Sequence, residues 1–167
     1  PIQLCLMTAQ IANGGGYKIY PKIVANDDNQ YADKFTPLYK KPRNIKIVQD
    51  AMFSSTNEVR GTSYRSRLDD PKYRFAGKTG TSQVKKITER DRELDLKTFQ
   101  IPYEERDHAL YVAFGPYKSP RYALSIIIEH GGSGGTVAAP LAKELFKMIV
   151  DRHEIRKNYD NKKYQDI

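Results

Sequence analysis

Two runs of apolar and β-branched residues near the C-terminal end constrain the fold most strongly. They cover Ala109–Phe114 and Tyr122–Glu129, and the segment Gly115–Pro120 between them is rich in glycine, proline and serine. Strand-like runs that are joined by turn formers predict an antiparallel β-hairpin. The hairpin argues against a doubly wound parallel sheet, because parallel neighbours need a long crossover connection.

Residue spacing predicts the other elements in the same way. They are a helix over residues 1–13, an edge strand over residues 17–24, a helix that has Asn44 as its N-cap and ends near Ser54, a strand over residues 75–84, and a helix from about Val137 to about Asp151. We predict the glycine run over residues 131–135 to be a flexible joint and the charged tail over residues 152–167 to be disordered. Together the elements predict an α+β fold of the α/β sandwich type, in which helices flank an antiparallel sheet.

The strand over residues 75–84 carries the candidate site. Lys78 and Thr79 precede Gly80, and Thr81 and Ser82 follow it. An accessible strand edge can pair with an extended peptide, and a glycine removes the side chain that would hinder close approach. The amine of Lys78 and the hydroxyls of Thr79 and Thr81 are donors that suit a carboxylate. These residues predict a site for an extended ligand that ends in a carboxylate.

The same stretch resembles a known family. Residues 78–84 match the third motif of the class B penicillin-binding proteins, the peptidoglycan transpeptidases. Other segments resemble this family in the same order, namely residues 2–15, 61–65, 113–117, 128–132 and 138–140. The charged excursion over residues 85–106 is similar to that of penicillin-binding protein 2, the elongation-associated branch. The resemblance covers residues 1–151 and identifies them as the C-terminal portion of the transpeptidase domain.

The resemblance implies a fold and a reaction. The fold is that of the serine β-lactamases, with a five-stranded antiparallel sheet packed by helices beside an all-helical subdomain. The reaction is acyl transfer without a cofactor or a metal: a serine attacks a peptidoglycan stem peptide that ends in D-Ala-D-Ala, and β-lactam antibiotics trap that serine. Lys78 and the backbone N–H of Thr81, an oxyanion-hole donor, are then catalytic. The implied substrate-binding residues are Lys78, Thr79, Gly80, Thr81 and Ser82.

The resemblance also implies partners and a location. The N-terminal part of the same domain and other cell-elongation membrane proteins are the expected protein partners. The parent protein is expected in the bacterial inner membrane with this region in the periplasm, and the isolated chain is expected to be soluble. The sequence begins at Pro1 without a signal peptide, so we expect it to be part of a longer protein. Its apolar fraction of 39%, below the roughly 45–50% of typical domains, agrees with a partial core.

The family's nucleophile, in a Ser-x-x-Lys motif, and its second motif, Ser-x-Asn, both precede the third motif. Two segments of this chain have the same letters, Ser82–Lys85 and Ser55–Asn57. A nucleophilic serine and its lysine need one face of a helix, whereas residues 82 and 85 on a strand point to opposite faces. Ser55–Asn57 lies at a predicted helix end, where such residues bond to the backbone. We therefore expect no nucleophile in this chain, and neither activity nor a penicillin adduct from the chain alone.

Charge suggests one alternative function. The net charge is +8, but the basic residues are spread along the chain and form no aromatic-basic ladder, so nucleic-acid binding is disfavoured. A second alternative is a β-lactam sensor of the same fold, in which the strand binds a ligand without turnover. The three histidines have no metal-binding spacing.

Overall fold

The computed structural model describes residues 1–16, 19–21, 23, 41–86, 89 and 96–163, with the backbone alone over residues 156–163. The regular elements are helix α1 (Ile2–Ala12), helix α2 (Pro42–Asn57), strand β1 (Ala76–Ser82), strand β2 (His108–Gly115), strand β3 (Tyr122–Ile128) and helix α3 (Ala139–Lys163). Short 3₁₀ turns lie at Tyr64–Ser66, Thr98–Gln100 and Tyr103–Glu105, and a π-helical turn at Gly134–Ala138 leads into α3.

The strands form an antiparallel three-stranded sheet in the order β1-β2-β3. Ser82 of β1 pairs with His108 of β2, and Gly115 of β2 pairs with Tyr122 of β3. The predicted hairpin and the predicted strand before it are confirmed. Of the predicted edge strand over residues 17–24, residues 17, 18, 22 and 24 lie outside the described residues, and residues 19–21 are not in a strand.

Helices cover both faces of the sheet, because successive side chains of a strand point to opposite sides. Tyr111 and its neighbours at alternate positions of β2 pack with α3 residues that include Phe146. The ring of Phe146 stacks on Phe75, with 4.9 Å between the ring centroids. On the other face, Phe114 packs with Met52 of α2 and with the C-terminal end of α1. The antiparallel sheet flanked by helices confirms the predicted fold class.

Helix α2 differs from the prediction at both ends. It begins at Pro42, not after an N-cap at Asn44, because the fixed backbone angle of proline suits the first helical position. It runs to Asn57, past the predicted end near Ser54. The side-chain amide of Asn57 donates to the carbonyl oxygen of Phe53 at 3.0 Å, so this polar residue bonds within the helix.

The glycine run after β3 is a region of close packing and not the predicted flexible joint. A Cβ atom at Gly134 would lie 2.4 Å from the carbonyl oxygen of Leu110. A Cβ atom at Gly135 would lie 2.6 Å from the carbonyl oxygen of Thr62. The missing side chains thus let the π-helical turn rest directly on the sheet and on the segment before β1.

Helix α3 continues to Lys163, so the predicted helix end near Asp151 is wrong. Residues 152–163, which were predicted to be disordered, are helical. The sequence from Leu141 to Lys163 contains no glycine or proline, and arginine, lysine and glutamate are good helix formers. Residues 164–167 lie outside the described residues. Within the ranges that the structure describes, no helix combines the length and apolar character that crossing a membrane requires.

Candidate active site

Strand β1 presents an unpaired edge within the described part of the chain. In an antiparallel pair, alternate residues turn both backbone groups towards the partner strand and the others turn them away. The carbonyl oxygen of Phe75 accepts from the Asn57 amide at 2.9 Å, and that of Thr79 accepts from the Lys78 amine at 2.9 Å. Both carbonyls therefore point away from β2. The same alternation directs the backbone N–H of Thr81 to the open edge.

The predicted site residues lie together on this edge. Lys78, Thr81 and Ser82 are exposed, and Thr79 and Gly80 are half-buried. The amine of Lys78 also lies 3.4 Å from the hydroxyl oxygen of Thr79. The strand thus offers one cationic group, a set of hydroxyls and outward N–H groups to a ligand lying along it. This arrangement suits an extended chain with an anionic end.

A buried hydroxyl cluster holds β1 in place. The hydroxyl of Tyr111 lies 3.0 Å from that of Thr56 and 2.9 Å from that of Ser63. Tyr111 passes directly beneath β1, since a Cβ atom at Gly77 would lie 2.2 Å from its hydroxyl oxygen. Burial raises the pKa of Tyr111, which keeps the phenol neutral. The cluster joins β1, β2, the end of α2 and the segment before β1.

A second, exposed row of hydroxyls was not predicted from the sequence. The hydroxyl oxygen of Thr62 lies 3.3 Å from that of Thr79 and 3.2 Å from that of Ser55. Ser55 belongs to α2 and Thr62 to the turn that follows it, whereas Thr79 belongs to β1. No local pattern signals this proximity, because it depends on how α2 packs against β1.

The two segments that mimic catalytic motifs occupy other roles. Ser82 ends β1, and Lys85 lies beyond the strand with its amine 2.7 Å from a carboxylate oxygen of Glu105. Ser55 lies in the last turn of α2, where the amide of Asn57 donates to backbone carbonyls. Neither segment has a serine and a lysine on one face of a helix.

Two of the histidines, His108 and His130, contact each other at the end of the sheet where His108 pairs with Ser82. The rings of His108 and His130 meet edge to face with 4.9 Å between centroids. The backbone N–H of His130 donates to Nδ1 of His108 at 3.0 Å. In the portion of the chain that is described, no three His, Cys, Asp or Glu residues group closely enough to hold a metal ion.

Residues 1–147 match the family described as the penicillin-binding protein transpeptidase domain. The chain belongs to this family. Among curated relatives of the chain, the peptidoglycan D,D-transpeptidase MrdA of Salmonella typhimurium is 32% identical over 165 residues, covering 90% of this chain and 25% of the relative. MrdA of Haemophilus influenzae is 36% identical over 122 residues, covering 73% of this chain and 18% of the relative. The chain therefore spans about a quarter or less of the length of these relatives.

Solved structures of the family agree with this membership. The penicillin-binding protein PBP2 of Helicobacter pylori, solved in complex with MreC, superposes with a TM-score of 0.69 at 27% identity. The match covers 90% of this chain and 24% of the PBP2 chain. Pseudomonas aeruginosa PBP2, solved in complex with WCK 5153, gives a TM-score of 0.64 at 30% identity, with coverage of 89% and 30%. The predicted membership in class B and the predicted similarity to penicillin-binding protein 2 are confirmed.

Proposed function

We propose that this transpeptidase chain supplies the carboxylate-binding strand and one oxyanion-hole donor for serine acyl transfer to peptidoglycan stem peptides. One observation carries the proposal: residues 78–82 lie on an accessible edge of β1 in a chain of the transpeptidase family. The stem peptide that ends in D-Ala-D-Ala would lie along this edge in an extended conformation. β-Lactam antibiotics would occupy the same place.

Each residue of the strand has a role in this proposal. The amine of Lys78 and the hydroxyls of Thr79 and Thr81 bind the terminal carboxylate, where charge-assisted hydrogen bonds are strong. Gly80 leaves room for the peptide backbone, and Ser82 extends the row of donors. The N–H of Thr81 stabilises the oxyanion that forms when the serine attacks the carbonyl carbon. The amine of Lys78 raises the positive potential near that serine.

The nucleophilic serine belongs, in this proposal, to an upstream part of the domain that packs against residues 1–151. The predicted end of the domain near residue 151 is supported by two observations. Val150 is only 6% exposed, and Tyr73 donates a hydrogen bond to Asp151. Residues 1–151 by themselves would then bind neither substrate nor penicillin covalently. The chain spans about a quarter of the length of the Salmonella typhimurium relative, which agrees with an active site shared with other parts of the protein.

The proposal extends to the parent protein's surroundings. Helicobacter pylori PBP2 was solved in complex with MreC, and this supports a parent that works with other membrane proteins of cell elongation. We place the parent in the bacterial inner membrane with this region in the periplasm, where peptidoglycan is cross-linked.

The absence of a nucleophile among Ser55 and Ser82 is tested by replacing each with alanine in the full-length protein. Both Ser55→Ala and Ser82→Ala are expected to show the same increase in mass as the unchanged protein after long incubation with a penicillin. The reason is that neither serine has a lysine beside it on a helix. Intact-mass spectrometry measures the adduct. Loss of the adduct in either variant would contradict the proposal.

A further inference from the structure

The exposed hydroxyl row ends at the candidate site. It runs from Ser55 at the end of α2 through Thr62 to Thr79 of β1, with oxygen–oxygen distances of 3.2 Å and 3.3 Å. The amine of Lys78 reaches the same Thr79 hydroxyl oxygen at 3.4 Å. Two groups from different elements thus converge on one side-chain oxygen of the motif strand.

The direction of these hydrogen bonds follows from counting protons. A hydroxyl has one proton to donate and can accept two hydrogen bonds, whereas an ammonium group only donates. When Lys78 and Thr62 both donate to the Thr79 oxygen, the single Thr79 proton is left for a ligand. Ser55 can in turn donate to Thr62. Such a chain of aligned hydroxyls polarises its last member and strengthens the bond that it donates.

The position of Thr62 does not depend on its own hydroxyl. A Cβ atom at Gly61 would lie 2.3 Å from the carbonyl oxygen of Ser55, and the N–H of Ser63 donates to that same oxygen at 3.1 Å. On its other side, the Thr62 carbonyl packs against Gly135. Backbone contacts on both sides of residue 62 therefore fix this turn, and removal of the hydroxyl leaves them in place.

We propose that Thr62, with Ser55 behind it, is a positioning residue that directs the Thr79 proton to the terminal carboxylate of the substrate. The inference rests on the proposed function, in which Thr79 binds that carboxylate. Thr62 touches no substrate itself. It acts by accepting from Ser55 and donating to Thr79, so that the Thr79 hydroxyl is already oriented when the ligand arrives.

The test is the second-order acylation rate of the full-length protein with a penicillin and with the methyl ester of the same penicillin. Thr62→Val keeps the side-chain shape without the hydroxyl and is expected to lower the rate with the penicillin by about threefold to tenfold, the effect of one net hydrogen bond. The rate with the ester, which lacks the anionic carboxylate, is expected to change little. Thr62→Ser restores the hydroxyl and the rate.

Ser54→Ala is the matched control. Ser54 precedes Ser55 in the sequence, and its hydroxyl donates to a carboxylate oxygen of Glu58 at 2.8 Å, outside the hydroxyl row. The control is expected to leave both rates unchanged. An equal fall with penicillin and ester in Thr62→Val would indicate a merely structural role and overturn the inference, as would an unchanged rate with penicillin. In both cases the protein without a substitution is still acylated, and the proposed function stands. If the protein without a substitution forms no adduct, both the proposed function and this inference are contradicted.

Discussion

Thr81→Pro in the full-length protein is expected to lower the rate of acylation by a penicillin by about 100- to 1000-fold, the loss typical of one oxyanion-hole donor. Proline removes the backbone N–H, which the hydrogen bonds around β1 direct to the open edge of the sheet. An N–H on the outer side of an edge strand takes no part in the β1–β2 ladder, so proline is tolerated there. The rate is measured by following adduct formation with a labelled penicillin.

Thr81→Ala separates the two donors of this residue. It keeps the backbone N–H and removes the hydroxyl, so we expect a loss of about threefold to tenfold, as for one neutral hydrogen bond. Thermal unfolding of both variants checks that β1 remains in place. If Thr81→Pro folds normally and is acylated as fast as Thr81→Ala, the N–H of Thr81 is not an oxyanion donor.

Lys78→Ala is expected to slow acylation by a penicillin roughly 10- to 100-fold. The substitution removes a charge-assisted hydrogen bond to the carboxylate, which is worth about 1.5–3 kcal/mol. The exposed position of Lys78 on the strand edge leaves its amine free to turn from Thr79 to a ligand. The same labelled-penicillin assay, run at several concentrations, separates a change in affinity from a change in the acylation step.

Lys85→Ala provides the control for nonspecific loss of positive charge. Lys85 follows the strand closely but pairs with Glu105 at 2.7 Å, in a surface ion pair of small energetic value. We expect its removal to leave the acylation rate unchanged. Equal losses in Lys78→Ala and Lys85→Ala would mean that the chain's general charge, and not a specific contact, assists the reaction.

The sheet and the site strand could be predicted because their signals are local. The runs Ala109–Phe114 and Tyr122–Glu129 are short and nearly continuous in apolar residues, and turn formers separate them, so both strands can be recognised from the sequence. The motif residues 78–82 are consecutive, so one strand places them together whatever surrounds it. The membership in the family followed from this motif together with the other matching segments in their order along the chain.

The remaining features depend on contacts between distant parts of the chain. The glycine run predicts a flexible joint from the sequence alone. In the structure, the carbonyls of Leu110 and Thr62 fill the space beside Gly134 and Gly135. The hydroxyl row likewise joins residues of α2, a turn and β1, and only their packing brings the row together. The end of α3 was misjudged for another reason: a charged, apolar-poor sequence can still be helical when its residues favour helix.

The most direct measurement is the intact mass after incubation with a penicillin, made on this chain and on one extended upstream through the candidate nucleophile. The account predicts an adduct on the extended chain alone, mapped by peptide sequencing to a serine before Pro1. That result would establish an active site shared between the upstream sequence and the edge of β1. An adduct on the present chain, mapped to Ser82 or Ser55, would contradict the account, because the nucleophile would then lie within residues 1–167.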